Sequence, residues 1–539
     1  MEEKILMRLP NKMANENGIN VAKILGGPLY KTAHTMEDVL REITTGAANS
    51  RNGTNHMLWM KEQDEIARYD PALAKDPRSI NFVLPRVMIS DSEIPFLCNC
   101  VVICNPEDSA RLAKNHIMKQ PNFTPVLFQS IISTNDVDHW KLQRHHLQDV
   151  FLPHKSLKKL FKTSRARAEK ASIDILGALA VKQGPYGVQM HEFFLHEAQA
   201  QLQMALFGLD EEAMEKTNKN IRDGFAGTNP DSNYLRDITL EYMRLVGENA
   251  KYATASDEEV VNGTKEIFGP LSKAVYNASS ILNLPDQFGN MLLILFAGHD
   301  TTAHTMTWLT YEMAKNQDIQ EKLHQECDKF FKQLNGRPMV YEDCEKLPYL
   351  TKCVMETLRL WPAVANGTFR ELQYNDTVIG PNGKEVELPK GTYIQITNWM
   401  RHRNKNLWGE DADKFNPDRE WQGDEIWDGG HFRAYNPSSK RFSPFAFSPR
   451  DCLGKNFAHM EMRTILSNVF YRYHFELSDP YRDFDAKKMG FPLENTQATM
   501  GPRDVTPEGL AETKKRAVNN QTPKMAMYLK VTKRRGFRL

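Results

Sequence analysis

The sequence predicts a mainly α-helical chain with a small antiparallel β lobe. Three observations carry that prediction. From about residue 137 to 360, apolar residues recur at spacings of three and four, the period of a helix with one buried face. Within that region DQFGNMLLILFAGHDTTAHTMTWLTYEMAKN (286–316) is the longest and most apolar segment, long enough to cross a whole domain. After Pro362 the period changes to two in TVIG, KEVELP and TYIQITNW, between 377 and 399, which is strand spacing.

Residues 1–85 form a poorly defined N-terminal segment. Within it KTAHTMEDVLREI (31–43) reads as a helix, with Thr35 as cap and Asp38 three residues on. RVMIS and LCNCVVIC (86–104) read as two short strands, the cysteines alternating with apolar neighbours as buried thiols do. NPEDSARLAKNH begins a helix with Asn105 as cap and Pro106 at its first position. QDIQEKLHQECDKFFKQL (317–334) and LPYLTKCVMETLRLW (347–361) are further helices, the second ended by Pro362. Pro381-Asn382-Gly383 and Lys390-Gly391 punctuate the strands that follow. GKNFAHMEMRTILSNVFYRY (454–473) returns to helix, 479–523 reads as an irregular polar surface loop, and MAMYLKVTKR (525–534) as a last strand.

No linker, low-complexity block or internal repeat divides the chain. One catalytic unit is therefore expected over 86–539. Its β lobe comes from about 86–104 and 364–400, its helical lobe from about 105–362 and 452–472, and 473–539 supplies a C-terminal loop and strand.

The 539 residues are 41% hydrophobic and 25% charged, a globular balance, and the net charge of +1 gives no nucleic-acid footprint. Between Lys141 and Lys170, however, nine Lys/Arg face only Asp149 and Glu169, a net of +7. That is either a solvated helix face or a docking patch for an acidic protein. Seven cysteines without a C-x-x-C pattern, in a chain this long, fit a reducing, intracellular compartment. No run reaches the roughly 18–20 apolar residues of a membrane helix, and MEEKILMRLPNK has neither a signal peptide's apolar region nor a transit peptide's bias.

One cysteine stands apart, in FAFSPRDCLGKNFA (445–458). A thiolate from a short loop can hold a heme iron from one side. The helix that begins just after Cys452 offers its positive end and free N–H groups. Gly454 lets the backbone approach a flat macrocycle, Arg450 is placed to pair with a heme propionate, and Phe445 can pack beside the sulfur. A lone loop cysteine is ordinarily a small buried apolar residue, so corroboration has to come from elsewhere in the chain.

Phe445, Ser448, Arg450, Cys452 and Gly454 resemble the heme loop F-x-x-G-x-R-x-C-x-G of the cytochrome P-450 superfamily of heme-thiolate monooxygenases, with serine at the family's second anchor. Serine accepts positive φ less readily than glycine, which bears on the bulge before the cysteine. The resemblance runs from about residue 86 to the end. In METLR and FNPDREW it implies that Glu356, Arg359 and Arg419 form a buried ion network locking the region that carries the heme loop. In AGHDTT (297–302) it implies that Ala297 and Gly298 give space over the iron and that Asp300 and Thr301 are an acid–alcohol proton relay. The local alternative is a Thr301 hydroxyl bonded back to a carbonyl and an Asp300 paired nearby. In WKLQR the resemblance implies Trp140 and Arg144 as propionate ligands, with Arg370 as a third, and the local alternative is a core Trp140 and an Arg144 on the basic face. Phe296, Ala297, Thr301, Val364, Ala365 and the 100–130 loop are the expected substrate lining.

The fold implied is that of cytochrome P-450, with heme (iron protoporphyrin IX) between the long central helix and the Cys loop. The implied reaction inserts one atom of O2 into an apolar lipid, fatty acid, terpene or sterol. The chain has no dinucleotide fingerprint, so NADPH-derived electrons would come through a flavoprotein reductase or a ferredoxin docking near 141–170. Rival readings are a heme-thiolate isomerase or dehydratase, a peroxygenase, and a non-catalytic heme-binding sensor. RLWPAV, ELPKGTYI and HRNKNLWGEDADKFNPDREW resemble the eukaryotic-type branch. The expected location is cytoplasmic or peripheral to the endoplasmic reticulum, without a transmembrane anchor.

Overall fold

The computed structural model describes residues 81–89, 95–119, 130–215, 284–380, 383–423, 425, 439–496, 499–518 and 523–534. Residues 1–80, with the helix expected at 31–43, lie outside the described residues, and the last residues of the expected N-terminal segment enter the first strand. Strands β1 (Phe82–Ile89) and β2 (Pro95–Ile103) open the fold, followed by helix α1 (Pro106–Asn115). Asn105 caps α1 by accepting from the N–H groups of Glu107 and Asp108, and Pro106 occupies its first turn. Next come α2 (Val137–Phe151), α3 (His154–Lys170), a π-helical turn at Ala171–Ile175, α4 (Leu176–Val181), β3 (Val188–Gln189) and α5 (Met190–Leu206).

Helix α6 (Leu284–Lys315) is the central rod, with α7 (Gln317–Leu334) and α8 (Pro348–Leu360) following. Strands β4 (Thr368–Glu371), β5 (Asp376–Ile379), β6 (Glu385–Leu388) and β7 (Tyr393–Ile396) come before α9 (Lys455–Arg472). β8 (Tyr473–Leu477), β9 (Glu494–Thr496), β10 (Met500–Pro502), α10 (Pro507–Val518) and β11 (Tyr528–Lys533) complete the chain.

Two features depart from expectation. The strands after 364 do not form one antiparallel sheet. β5 and β6 make a separate hairpin, while β7 lies parallel to β2 and antiparallel to β4 in the sheet β1-β2-β7-β4. All four β7 residues are buried, as a strand with neighbours on both edges and faces requires. The second departure is 479–523. It holds the β9–β10 hairpin and α10, and buries Leu493, Met500 and Val505. Those apolar anchors are spaced too widely among polar residues to show either period.

The main core packs α2–α9 and β8 around Phe194, Trp308, Phe330, Leu466 and Phe470, and a smaller core with Val101, Leu112, Ile394 and Phe447 lies under the sheet. Each such fully buried side chain is worth roughly 1.5–3 kcal/mol of transfer free energy. Among the described residues no helix is long and apolar enough to cross a membrane.

Candidate functional site

The Cys loop is held before it does any chemistry. The Cys452 N–H donates to the Phe445 carbonyl at 2.8 Å, closing the turn. The positive φ falls on Ala446, at 64°, and not on Ser448, so serine at the family's glycine position escapes the left-handed region. That region costs a non-glycine residue roughly 1–2 kcal/mol. The Phe445 ring packs on the main core, 5.3 Å from the His459 ring. Arg144 donates to the Asp451 carbonyl at 2.7 Å and to its carboxylate at 2.9 Å, and Lys455 bonds the same carboxylate. Arg144 thus ties α2 to the residue beside the cysteine. Of the six cysteines described, only Cys452 is exposed. Burial of its surroundings pushes the thiol up, opposed by the Gly454 N–H at the start of α9. A bound metal would draw off that proton outright.

Around the loop lies a concentration of positive charge. Arg450 donates to the carbonyls of Ile117 and Ile131 at 3.1 and 3.0 Å, with its guanidinium 4.8 Å above the buried Trp140 ring. Arg370 is fully buried on β4, bonded to Thr368 and to the Phe369 carbonyl. Lys119 donates to the same Thr368 hydroxyl at 3.0 Å. Burial, with Arg144 nearby, pushes Arg450 down to about 9, and burial beside Arg450 does the same to Arg370. Burial beside both arginines holds Lys119 well below the usual amine range. The bonds of Lys119 and Arg450 go to a hydroxyl and to carbonyls, so this donor set suits an anionic guest bearing more than one carboxylate. A heme with its two propionates fits that description. Lys119 is the member that sequence reasoning misses, because a single lysine in a loop carries no motif.

Above this region runs α6. Residues 302–314 of that helix are buried, whereas Phe296, Ala297, Gly298, Asp300 and Thr301 are only half-buried. The rod therefore borders open space where its polar break lies. Ala297 packs with Leu293, Ile131 and Ile132. Val364 is half-buried, but Ala365 points into the small core of Val102, Trp399 and Met500. Gly298 has a different neighbour from the one its motif suggests: a Cβ there would lie 2.5 Å from Leu202 of α5. Its small size lets α5 cross close to α6.

Thr301 and Asp300 turn to different partners. The Thr301 hydroxyl donates to the Ala297 carbonyl at 2.8 Å, as those of Thr305, Thr307 and Thr310 do four residues back along the helix. Asp300 accepts from the Thr499 hydroxyl, just before β10, and sits 3.8 Å from His304. Thr499 is a second residue without a sequence signal. Burial works against the Asp300 charge, yet His304, His299, Thr499 and His191 together hold it below the usual carboxylate range.

The histidines themselves are held neutral by burial, His191 down to about 3, with His299 and His304 also lowered. The unfolded chain binds a proton at each near pH 6.5 while the folded chain does not. Stability is therefore full above pH 6.5 and falls, by up to about 1.4 kcal/mol per pH unit for each such histidine, as the pH drops toward the folded values. Denaturant melts from neutral pH downward should show this. An unchanged midpoint between neutral pH and pH ~5 would contradict it.

Far from the loop in sequence, Glu356 on α8 meets both of its arginines. Arg359 donates to its two oxygens at 2.8 and 2.7 Å, Arg419 at 3.3 Å, and the Asn416 N–H at 3.0 Å. Glu356 and Arg359 are fully buried.

The family description "Cytochrome P450", written here cytochrome P-450, matches residues 272–500. The chain is 36% identical to an Arabidopsis thaliana cytokinin hydroxylase over 35% of its length and 32% of that protein's. It is 33% identical to the Aspergillus candidus monooxygenase cfoH over 40% and 39%. It is 27% identical to a Caenorhabditis elegans protein whose name, CYP13A5, places it among these cytochromes, over 59% and 55%. The match thus spans about half the length of these relatives, or less. The matched stretch, 272–500, carries α6, Glu356, Arg359, Arg419 and Cys452, and over that stretch the sequence is that of the cytochrome P-450 superfamily.

Proposed function

We propose that the protein is a heme-thiolate monooxygenase acting on an apolar organic substrate. The observation that carries the reading is the exposed Cys452 thiol in the loop whose buried Arg450 lies near buried Arg370 and half-buried Lys119. Cys452 would hold the iron from the loop side, and those cations, with Trp140, would take the propionates. Bound heme would supply the activation of O2 and the transfer of one oxygen atom to a C–H bond.

The remaining roles fall to the chain. Phe296, Ala297, Ile131, Ile132 and Val364 form an apolar lining that keeps water from the substrate. Asp300, a half-buried carboxylate at the polar break of α6, would take up and pass on protons, and the neighbouring Thr301 hydroxyl, bonded to the Ala297 carbonyl, would join it. The reading is tested by supplying reductase, NADPH and 18O2 with a panel of fatty acids, terpenes and sterols. One 18O atom in a hydroxylated product supports it, and turnover only by isomerisation or dehydration contradicts it.

Electrons would reach the Cys side through a flavoprotein reductase or a ferredoxin docking on α2 and α3. Lys155, Lys159 and Lys162 are exposed there. Replacing all three with glutamate should raise the KM for the donor and flatten or invert its salt dependence, since surface charge acts mainly on encounter and salt screens it. Peroxide-driven turnover should be unchanged. Equal loss in both assays would contradict a docking role.

A further inference from the structure

We propose that His304, backed by His191, supplies protons to Asp300 from the side of the helix away from the open interior; this rests on the monooxygenase reading above. Asp300, His304 and Trp308 follow one another at i, i+4 and i+8 on α6 and face the C-terminal hairpin. Asp300 meets Thr499, the indole N–H of Trp308 donates to the Met500 carbonyl at 2.9 Å, and a Cβ at Gly501 would come within 2.8 Å of His304 Nε2. The backbone of β10 thus closes that flank of the imidazole. On the other flank His304 Nε2 lies 2.9 Å from Nε2 of His191, the rings near-parallel at 6°.

Both rings are buried, His304 fully. The titratable groups facing the pair are Asp300 and His299. Two nitrogens at that separation must share a proton, so one ring presents Nε2–H and the other a bare Nε2. The groups acting on Asp300 are the Thr499 hydroxyl, which is not acidic, and the imidazoles of His304, His299 and His191. His299 is held to the Leu295 carbonyl at 2.6 Å, whereas His304 stands 3.8 Å from the carboxylate and is able to carry a proton to it.

His191 stands in the first turn of α5, next in sequence to exposed Glu192. A proton taken up at Nδ1 of His191 lets its Nε2 proton pass to Nε2 of His304, which then delivers one to Oδ1 of Asp300. The pair returns from +1 to 0 and the carboxylate goes from −1 to 0. The 3.8 Å from His304 to Asp300 exceeds hydrogen-bond length, so delivery requires Asp300 to leave Thr499 and approach the ring. His304 is thereby a positioning and proton-supplying residue acting through Asp300.

The test pairs His304→Gln, which can hydrogen-bond but carry no proton, with His191→Gln. Each should keep wild-type heme content and substrate-induced spin shift. Product per NADPH should fall roughly tenfold to a hundredfold, up to the low end of what a positioned proton donor contributes, with electrons diverted to hydrogen peroxide. The pH profile should flatten, and adding His304→Gln to Asp300→Asn should cost nothing more. Full coupling across the neutral range in both variants overturns the proposal.

A second readout needs no turnover. In 15N-histidine spectra of the protein, His191 and His304 should share one Nε2 proton, and Asp300→Asn should shift both resonances. Two rings indifferent to Asp300→Asn overturn the proposal even if no substrate is found. Absence of 18O incorporation by the wild type, with the two rings coupled as described, sinks the monooxygenase reading and leaves the histidine pair standing.

Discussion

Cys452→Ser is expected to give a folded protein without the proposed oxygenase activity. The loop's shape rests on backbone and neighbouring groups: the Cys452 N–H on the Phe445 carbonyl, and Asp451 clamped by Arg144 and Lys455. None of these bonds uses the sulfur, and the side chain is exposed. The secondary structure and denaturant midpoint should therefore stay close to wild type. What goes is the proposed metal ligand, so product formation should drop by more than the roughly 10–100-fold seen when a mere outer-shell partner is removed. Product analysis with a donor that supports the wild type checks this. A serine variant within tenfold of wild type would mean that the sulfur is not the ligand.

Glu356→Gln should be the most damaging substitution for stability. The change removes one negative charge from between two arginines in a buried setting, where Arg359 also holds the carbonyls of His402, Ala412 and Lys414 at 2.8, 2.6 and 3.1 Å. Leaving a buried charge without its partner costs about 3–5 kcal/mol, a large part of the 5–15 kcal/mol that a folded domain has in total. The carbonyls held by Arg359 lie in the segment leading to the Cys loop, so heme retention should fall with stability. Denaturant midpoint and heme content measured together check this. A midpoint within about 0.5 kcal/mol of wild type would place the network outside the stabilising core.

Much of the architecture was legible because it rests on periodic or capped segments. The Asn105–Pro106 start of α1, the 32-residue rod Leu284–Lys315 and the helix after Gly454 all announce themselves locally. Pairings across the chain did not. That β7 runs parallel to β2 depends on residues nearly 300 apart in sequence, and strand spacing alone carries no direction.

The site divides in the same way. Motif spacing points to Glu356 with Arg359 and to Cys452 with Arg450. It is silent on Lys119, which joins Arg370 through Thr368, and on Thr499, which meets Asp300 from 199 residues away. Gly298 shows the opposite hazard: a glycine inside a recognisable motif whose missing side chain makes room for Leu202 of another helix.

The most direct measurement is the absorption spectrum of the reduced, carbon-monoxide-bound wild-type protein. A Cys452 thiolate holding the iron would shift the Soret band to long wavelength, and that band should be present in the wild type and missing in Cys452→Ser. A wild-type spectrum with the band at the position given by a histidine ligand, or no heme bound at all, would contradict the account.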